Sequence, residues 1–76
     1  MPKFFLDLHE SGRILRDEDG IDLADQRSAE LQARRTACDV TKDSFEQGDT
    51  TVKVLVRNEQ GAVLAVEVSA RISSER

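Results

Sequence analysis

Seventy-six residues, 38% of them hydrophobic and 34% charged, describe one soluble domain with a single small core, too apolar in its periodic segments to stay disordered. A formal net charge of -4 gives a surface that repels phosphate backbones and anionic lipid head groups, so neither nucleic acid nor membrane is an expected partner. One cysteine, Cys38, and one histidine, His9, exclude an internal disulfide and fall short of the four ligands of a structural zinc site.

At the start of the chain, Met1-Pro2-Lys3-Phe4-Phe5-Leu6-Asp7 reaches a carboxylate too early for a signal-peptide core. No stretch approaches the roughly 18 apolar residues of a membrane span, and a cytoplasmic protein with a reduced thiol is expected. From Lys3 to His9 the residues alternate, Phe4, Leu6 and Leu8 against Phe5, Asp7 and His9. That is the period-two pattern of a half-buried strand, with the even positions on the core side. Glu10-Ser11-Gly12 supplies the turn, and Arg13 to Arg16 supplies a brief return strand, for a first hairpin over about 3–17.

The acidic run Asp17-Glu18-Asp19-Gly20-Ile21-Asp22-Leu23 reads as a loop over 17–24 leading to a helix. Asp25 is the expected N-cap, its carboxylate accepting amide hydrogens of the first turn. From Gln26 to Glu46 there is no Gly or Pro, and Gly48 follows as a stop, which predicts a helix over about 25–46. At about 100° per residue, Ala29, Ala33, Ala37 and Val40 share one flank while Leu31, Cys38 and Phe45 share another. The small-residue flank suits close packing on a sheet. The larger one either widens that core or meets a second molecule. The i,i+4 pair Glu30 and Arg34 decorates the helix for only a few tenths of a kcal/mol.

The second hairpin, over about 51–72, carries the strongest strand signal. Val52, Val54 and Val56 alternate with Lys53, Leu55 and Arg57, and after Asn58-Glu59-Gln60-Gly61 the series Leu64, Val66, Val68, Ala70, Ile72 alternates with Val63, Ala65, Glu67, Ser69, Arg71. The last strand looks longer than its partner, so its half from Val68 to Ile72 is expected to pair elsewhere, with the first hairpin or with a second subunit. Residues 73–76 read as a frayed tail.

Little chemistry is assembled by these residues. Placing Gly20 at the glycine position of a calcium loop puts Leu15 and Gln26 where the first and the closing carboxylate ligands belong. His9 has Asp7 two residues away to orient it, but no nucleophile elbow or second histidine accompanies the pair, which favours a plain strand residue. Cys38, mid-helix beside Ala37 and Val40, reads as a small buried hydrophobe, with Arg34 and Arg35 near enough to stabilise a thiolate if that face is open. Arg27, Arg34 and Arg35 are diluted by Glu30 and Asp39 and lack interleaved aromatics, and Phe4, Phe5 and Phe45 suit core duty better than base stacking. No catalytic residue, metal site or cofactor is expected.

Met1 to Asp7, then Arg16 to Asp25, then Ser28-Ala29, then Val56-Arg57-Asn58-Glu59-Gln60-Gly61 together resemble a family of short uncharacterised proteins, a domain of unknown function common in soil alphaproteobacteria. That family shows an aromatic opening strand, a DEEG-like acidic turn, a leucine-proline-aspartate helix start, an alanine-rich helix and a hairpin turning at D-E-x-G. The chain departs at Ala24 in place of proline, at Asn58 in place of aspartate and in the polar first turn Gln26-Arg27. With no established activity in the family, the resemblance implies architecture and compartment and transfers no site residue.

The fold expected is α+β, ββαββ: one antiparallel sheet of two hairpins with one long helix packed on one face. A core of this size rarely supplies more than about 3–5 kcal/mol. With disulfide and metal excluded, a homodimer is expected, with an unidentified protein partner as a further possibility and with Leu31, Cys38, Phe45, Val68, Ala70 and Ile72 as candidate contacts. The function that follows is a small non-enzymatic interaction or regulatory protein. The alternative is an antitoxin-like or nucleic-acid-associated regulator, because a strand pair, acidic turn and helix echo HicB-type antitoxins, though the Pro-Gly-Cys element of those proteins is absent.

Overall fold

Along β1 (Lys3–Glu10) the alternation turns Phe4, Leu6 and Leu8 to one face of a sheet and Phe5, Asp7 and His9 to the other. A computed structural model of the chain describes residues 1–75. Ser11 and Gly12 take φ of 50° and 75°, the left-handed pair that matches the twist of a two-residue hairpin. Glu10 is thereby set opposite Arg13, which opens β2 (Arg13–Leu15). The chain then returns to the same edge of β1 in β3 (Ile21–Asp22), where Lys3 lies opposite Asp22 and Phe4 opposite Ile21. Sequence reading makes this stretch a loop, because two residues are too few to show a period.

Helix α1 (Gln26–Phe45) starts where expected. Asp25 is extended, and its Oδ1 accepts the Ser28 amide at 2.8 Å. Replacing Asp25 with Ala removes that cap and is expected to lower the urea midpoint with the slope unchanged. Ala29, Ala33 and Ala37 are fully buried, with Thr41 below them returning its hydroxyl to the Ala37 carbonyl at 2.6 Å. A line of methyl groups lets the helix lie close on the sheet.

Beneath the helix run β4 (Thr50–Asn58) and β5 (Gly61–Ala70), both antiparallel neighbours. The strand order is β2-β1-β4-β5, with β3 sharing the outer edge of β1 with β2. Being central, β4 buries Val52, Val54 and Val56 completely. With Phe4 and the three alanines they form the core, and Leu6, Leu8, Leu64, Val66 and Val68 pack around it. The fold is α+β, one helix on one face of an antiparallel sheet, as the alternation implies.

The C-terminal half of the last strand is not left over. β4 begins at Thr50, two residues earlier than the valine run suggests, and pairs with β5 as far as Thr50 opposite Ala70. Threonine is a good strand former, and the Thr51 and Ser69 hydroxyls meet across the ladder at 3.1 Å. Ile72 lies past the last pair, its amide donating to Asp49 Oδ1 at 3.0 Å. Ser73 to Glu75 form neither helix nor strand, and position 76 of the expected tail lies outside the described residues.

Candidate functional site

On the face away from α1, charge is buried where sequence reading saw a plain strand and a solvated turn. Asp7 is almost fully buried, and its Oδ2 accepts Arg57 Nε at 2.8 Å, with side-chain exposures of 6% and 17%. Its Oδ1 accepts the Asp17 amide at 2.9 Å, and the Asp17 carbonyl accepts Arg57 Nη2 at 2.7 Å. The Asp17 carboxylate in turn accepts the amides of Leu6 at 3.2 Å, Asp19 at 3.1 Å and Gly20 at 3.0 Å. Arg57 completes the group by stacking 4.4 Å above the Phe5 ring. Asp7 is therefore committed to Arg57 and Asp17 and does not orient His9, which lies half-buried opposite Lys53.

Burial would raise the Asp7 carboxyl, but the Arg57 guanidinium and the Asp17 amide outweigh it and hold the group below its ordinary 3.8. Burial and the nearby Asp7 charge likewise oppose ionisation of Asp17, and the amides of Gly20, Leu6 and Asp19 overcome them. With folded-state values below unfolded ones, the unfolded chain binds more protons as the pH drops. The stability contributed is complete above the ordinary carboxylate range and lost as pH falls through the folded values. Urea midpoints are thus expected to hold level from pH 7 to 5 and to drop below about pH 4. A level midpoint down to pH 3 would contradict the assignment.

The same contacts bind residues 17–20 against the sheet. Gly20 sits at φ +75°, and a Cβ there would come within 2.8 Å of Phe5 Cε1 and 2.9 Å of Lys3 Cγ. The Phe5 ring is also stacked against Arg57, so a shift of the ring would disturb that contact. Gly20→Ala is expected to cost about 1–3 kcal/mol, read from thermal and urea midpoints.

The two margins of the sheet differ as a result. On the outer edge of β1, β3 pairs with Lys3 and Phe4, the Asp17 carboxylate takes the Leu6 amide, and β2 pairs with Leu8 to Glu10. That edge is closed along its length. On the far side, the outer edge of β5 pairs with nothing among the described residues.

The candidate contact residues fall around this open margin in part. Asp43 on one side of α1 lines a cleft with Glu10 and Arg13, so the opposite flank, with Leu31, Cys38 and Phe45, lies on the β5 side. Leu31 is 47% and Phe45 39% exposed. Cys38 is exposed too, which corrects its reading as a buried hydrophobe: it stands well round the helix from the Ala29, Ala33, Ala37 line. Val68 and Ala70 are half-buried on β5, and Val68 turns its side chain into the core. Ile72 is 80% exposed beyond the strand.

Asp7 and Arg57 were missed as a pair because they are 50 residues apart. The one available signal was apolar company on the face that alternation assigns to solvent, Phe5 two residues from Asp7 and Leu55 two residues from Arg57. Among the described residues, no helix is long and apolar enough to cross a membrane. A family model for a domain of unknown function, DUF6894, matches residues 3–69. The chain belongs to that family. No curated protein and no solved structure matches it. The match to DUF6894 takes in β1 and its polar lock, α1, β4 and nearly all of β5, so both sheet margins lie within the family domain.

Proposed function

We propose that this DUF6894 chain is a small non-enzymatic interaction protein of the cytoplasm, working as a homodimer joined along β5. The observation that carries this reading is the contrast between margins: one edge of the sheet is capped by two short strands and a carboxylate, and the other, ten residues long, has no partner among the described residues. Natural sheets shield edges with prolines, lysines, bulges or a covering segment. β5 carries no Pro or Lys, Glu67 is its one charge, and its bulge at Val63 lies near the turn and leaves Leu64 to Ala70 in regular register. Antiparallel pairing of β5 with its copy would satisfy those backbone groups and bring the Leu31 and Phe45 flanks toward the partner. A non-enzymatic role is supported by the polar lock, whose carboxylates and guanidinium are engaged with one another rather than converging on an open cleft.

Light scattering at 10 to 100 μM, roughly the range in which weak dimers form, is the test. The expected mass is twice the 8.5 kDa of the chain, reverting to a single chain in the double variant Leu31→Glu, Phe45→Glu. A mass of one chain at every concentration sinks the proposal.

A further inference from the structure

Across the sheet from β5 lies a second uncovered surface. A helix is about 10 Å wide and strands lie about 4.8 Å apart, so one helix roofs two strands. α1 roofs β4 and β5, and on the same side β1 and β2 leave Leu6 and Leu8 half-buried and Leu15 70% exposed. Leu8 and Leu15 face each other in the ladder and form an apolar floor one helix wide.

The wall of this groove is acidic. Asp43 lines a cleft of about 540 Å³ with Glu10, Arg13 and Asp49, three carboxylates to one guanidinium, and Glu10 and Arg13 also border the depression that holds Leu8 and Leu15. At 100° per residue Asp39 and Glu46 stand on the same flank of α1 as Asp43, with Gln32 and Thr36 between them and the helix start, and Arg35 and Lys42 follow at its solvent-facing border. None of these carboxylates is in an ion pair among the described residues. They also crowd the C-terminal half of α1, where the helix dipole disfavours negative charge and Lys42 is the only base in the last turn. The opposite flank carries Arg27 and Arg34 instead. An apolar floor beside a wall where carboxylates outnumber cations and none is ion-paired among the described residues is complementary to one kind of segment.

We propose that the groove between the acidic flank of α1 and the β1 and β2 hairpin is a docking site for a basic amphipathic helix of a partner protein. The partner's apolar stripe lies on Leu8 and Leu15, and its lysines or arginines face Asp39, Asp43 and Glu46. An anionic membrane is disfavoured by the same charges. The groove is on the far side of the sheet from β5, so this inference holds whether the chain is one copy or two.

The test uses a synthetic helical peptide of about 18 residues with leucines at helical spacing and lysines elsewhere, titrated into the isotope-labelled protein. Saturable shifts are expected at the amides of Leu8, Leu15 and Asp43, and none with a peptide carrying Glu for Lys. Asp39→Asn with Asp43→Asn should weaken binding about three- to tenfold, and Leu15→Ser should weaken it at unchanged charge. All three positions are exposed, and the variants keep the fold, checked by far-ultraviolet circular dichroism. Equal binding of a peptide with Ser for every Leu would reduce the effect to bulk charge and overturn the proposal. So would shifts confined to β5 and Leu31, or no shift at millimolar peptide.

Discussion

Arg57→Ala is expected to leave most of the population unfolded at room temperature. The change strips the partner from a buried carboxylate and leaves the Asp17 carbonyl without its donor, and breaking a buried pair from one side costs about 3–5 kcal/mol. That is as much as a core of this size supplies, about 3–5 kcal/mol. The exposed pair Arg34 and Glu30, at side-chain exposures of 65% and 36%, provides the internal comparison: Arg34→Ala should cost about 0.3–0.5 kcal/mol. Equilibrium urea unfolding followed by circular dichroism measures both. Asp7→Leu with Arg57→Met removes both charges together and should recover much of the loss, because no buried charge is then unpaired. If Arg57→Ala unfolded at the same urea concentration as Arg34→Ala, the lock would be ornamental.

Ala33→Leu is the second large effect. Ala33 is fully buried at the middle of the methyl line, where the helix rests on a sheet whose facing residues, Val52, Val54 and Val56, are themselves wholly enclosed. Three added carbons have no void to enter, and over-packing of this kind costs about 1–3 kcal/mol and sometimes more. The expected observation is a lowered thermal midpoint with dispersed but shifted methyl resonances for Val54 and Val66. Leu31→Ala, on the exposed flank of the same helix, should change monomer stability by less than about 0.5 kcal/mol. The contrast separates the flank that packs from the flank left open.

Much of this architecture was legible along the chain. Phe4, Leu6 and Leu8 against Asp7 and His9, and the valine run from Val52 to Val56, announce strands and the faces they bury, since a period of two is local. Asp25 announces the helix start for the same reason, its partner Ser28 being three residues away. The Ala29, Ala33, Ala37 line and the Leu31, Cys38, Phe45 line were separable by turning 100° per residue. Which of them packs was less legible for Cys38, because a thiol is found as readily on a core face as on an open one. The early start of β4 at Thr50 escaped because threonine marks strands and turns alike, and with it went the idea that Val68 to Ile72 lacked a partner.

The amino-acid order by itself determined the strand faces, the helix and its cap and the two hairpin turns, because each depends on residues within a few positions of one another, and its single cysteine excluded an internal disulfide. Only the tertiary structure decided that Asp7, Asp17 and Arg57 close upon each other, that one margin of the sheet is sealed while β5 stays bare, and that α1 roofs two strands and leaves two open. Those outcomes depend on which strands become neighbours. Pairing of β1 with β4 brings together residues some 50 positions apart, and no local pattern carries that distance.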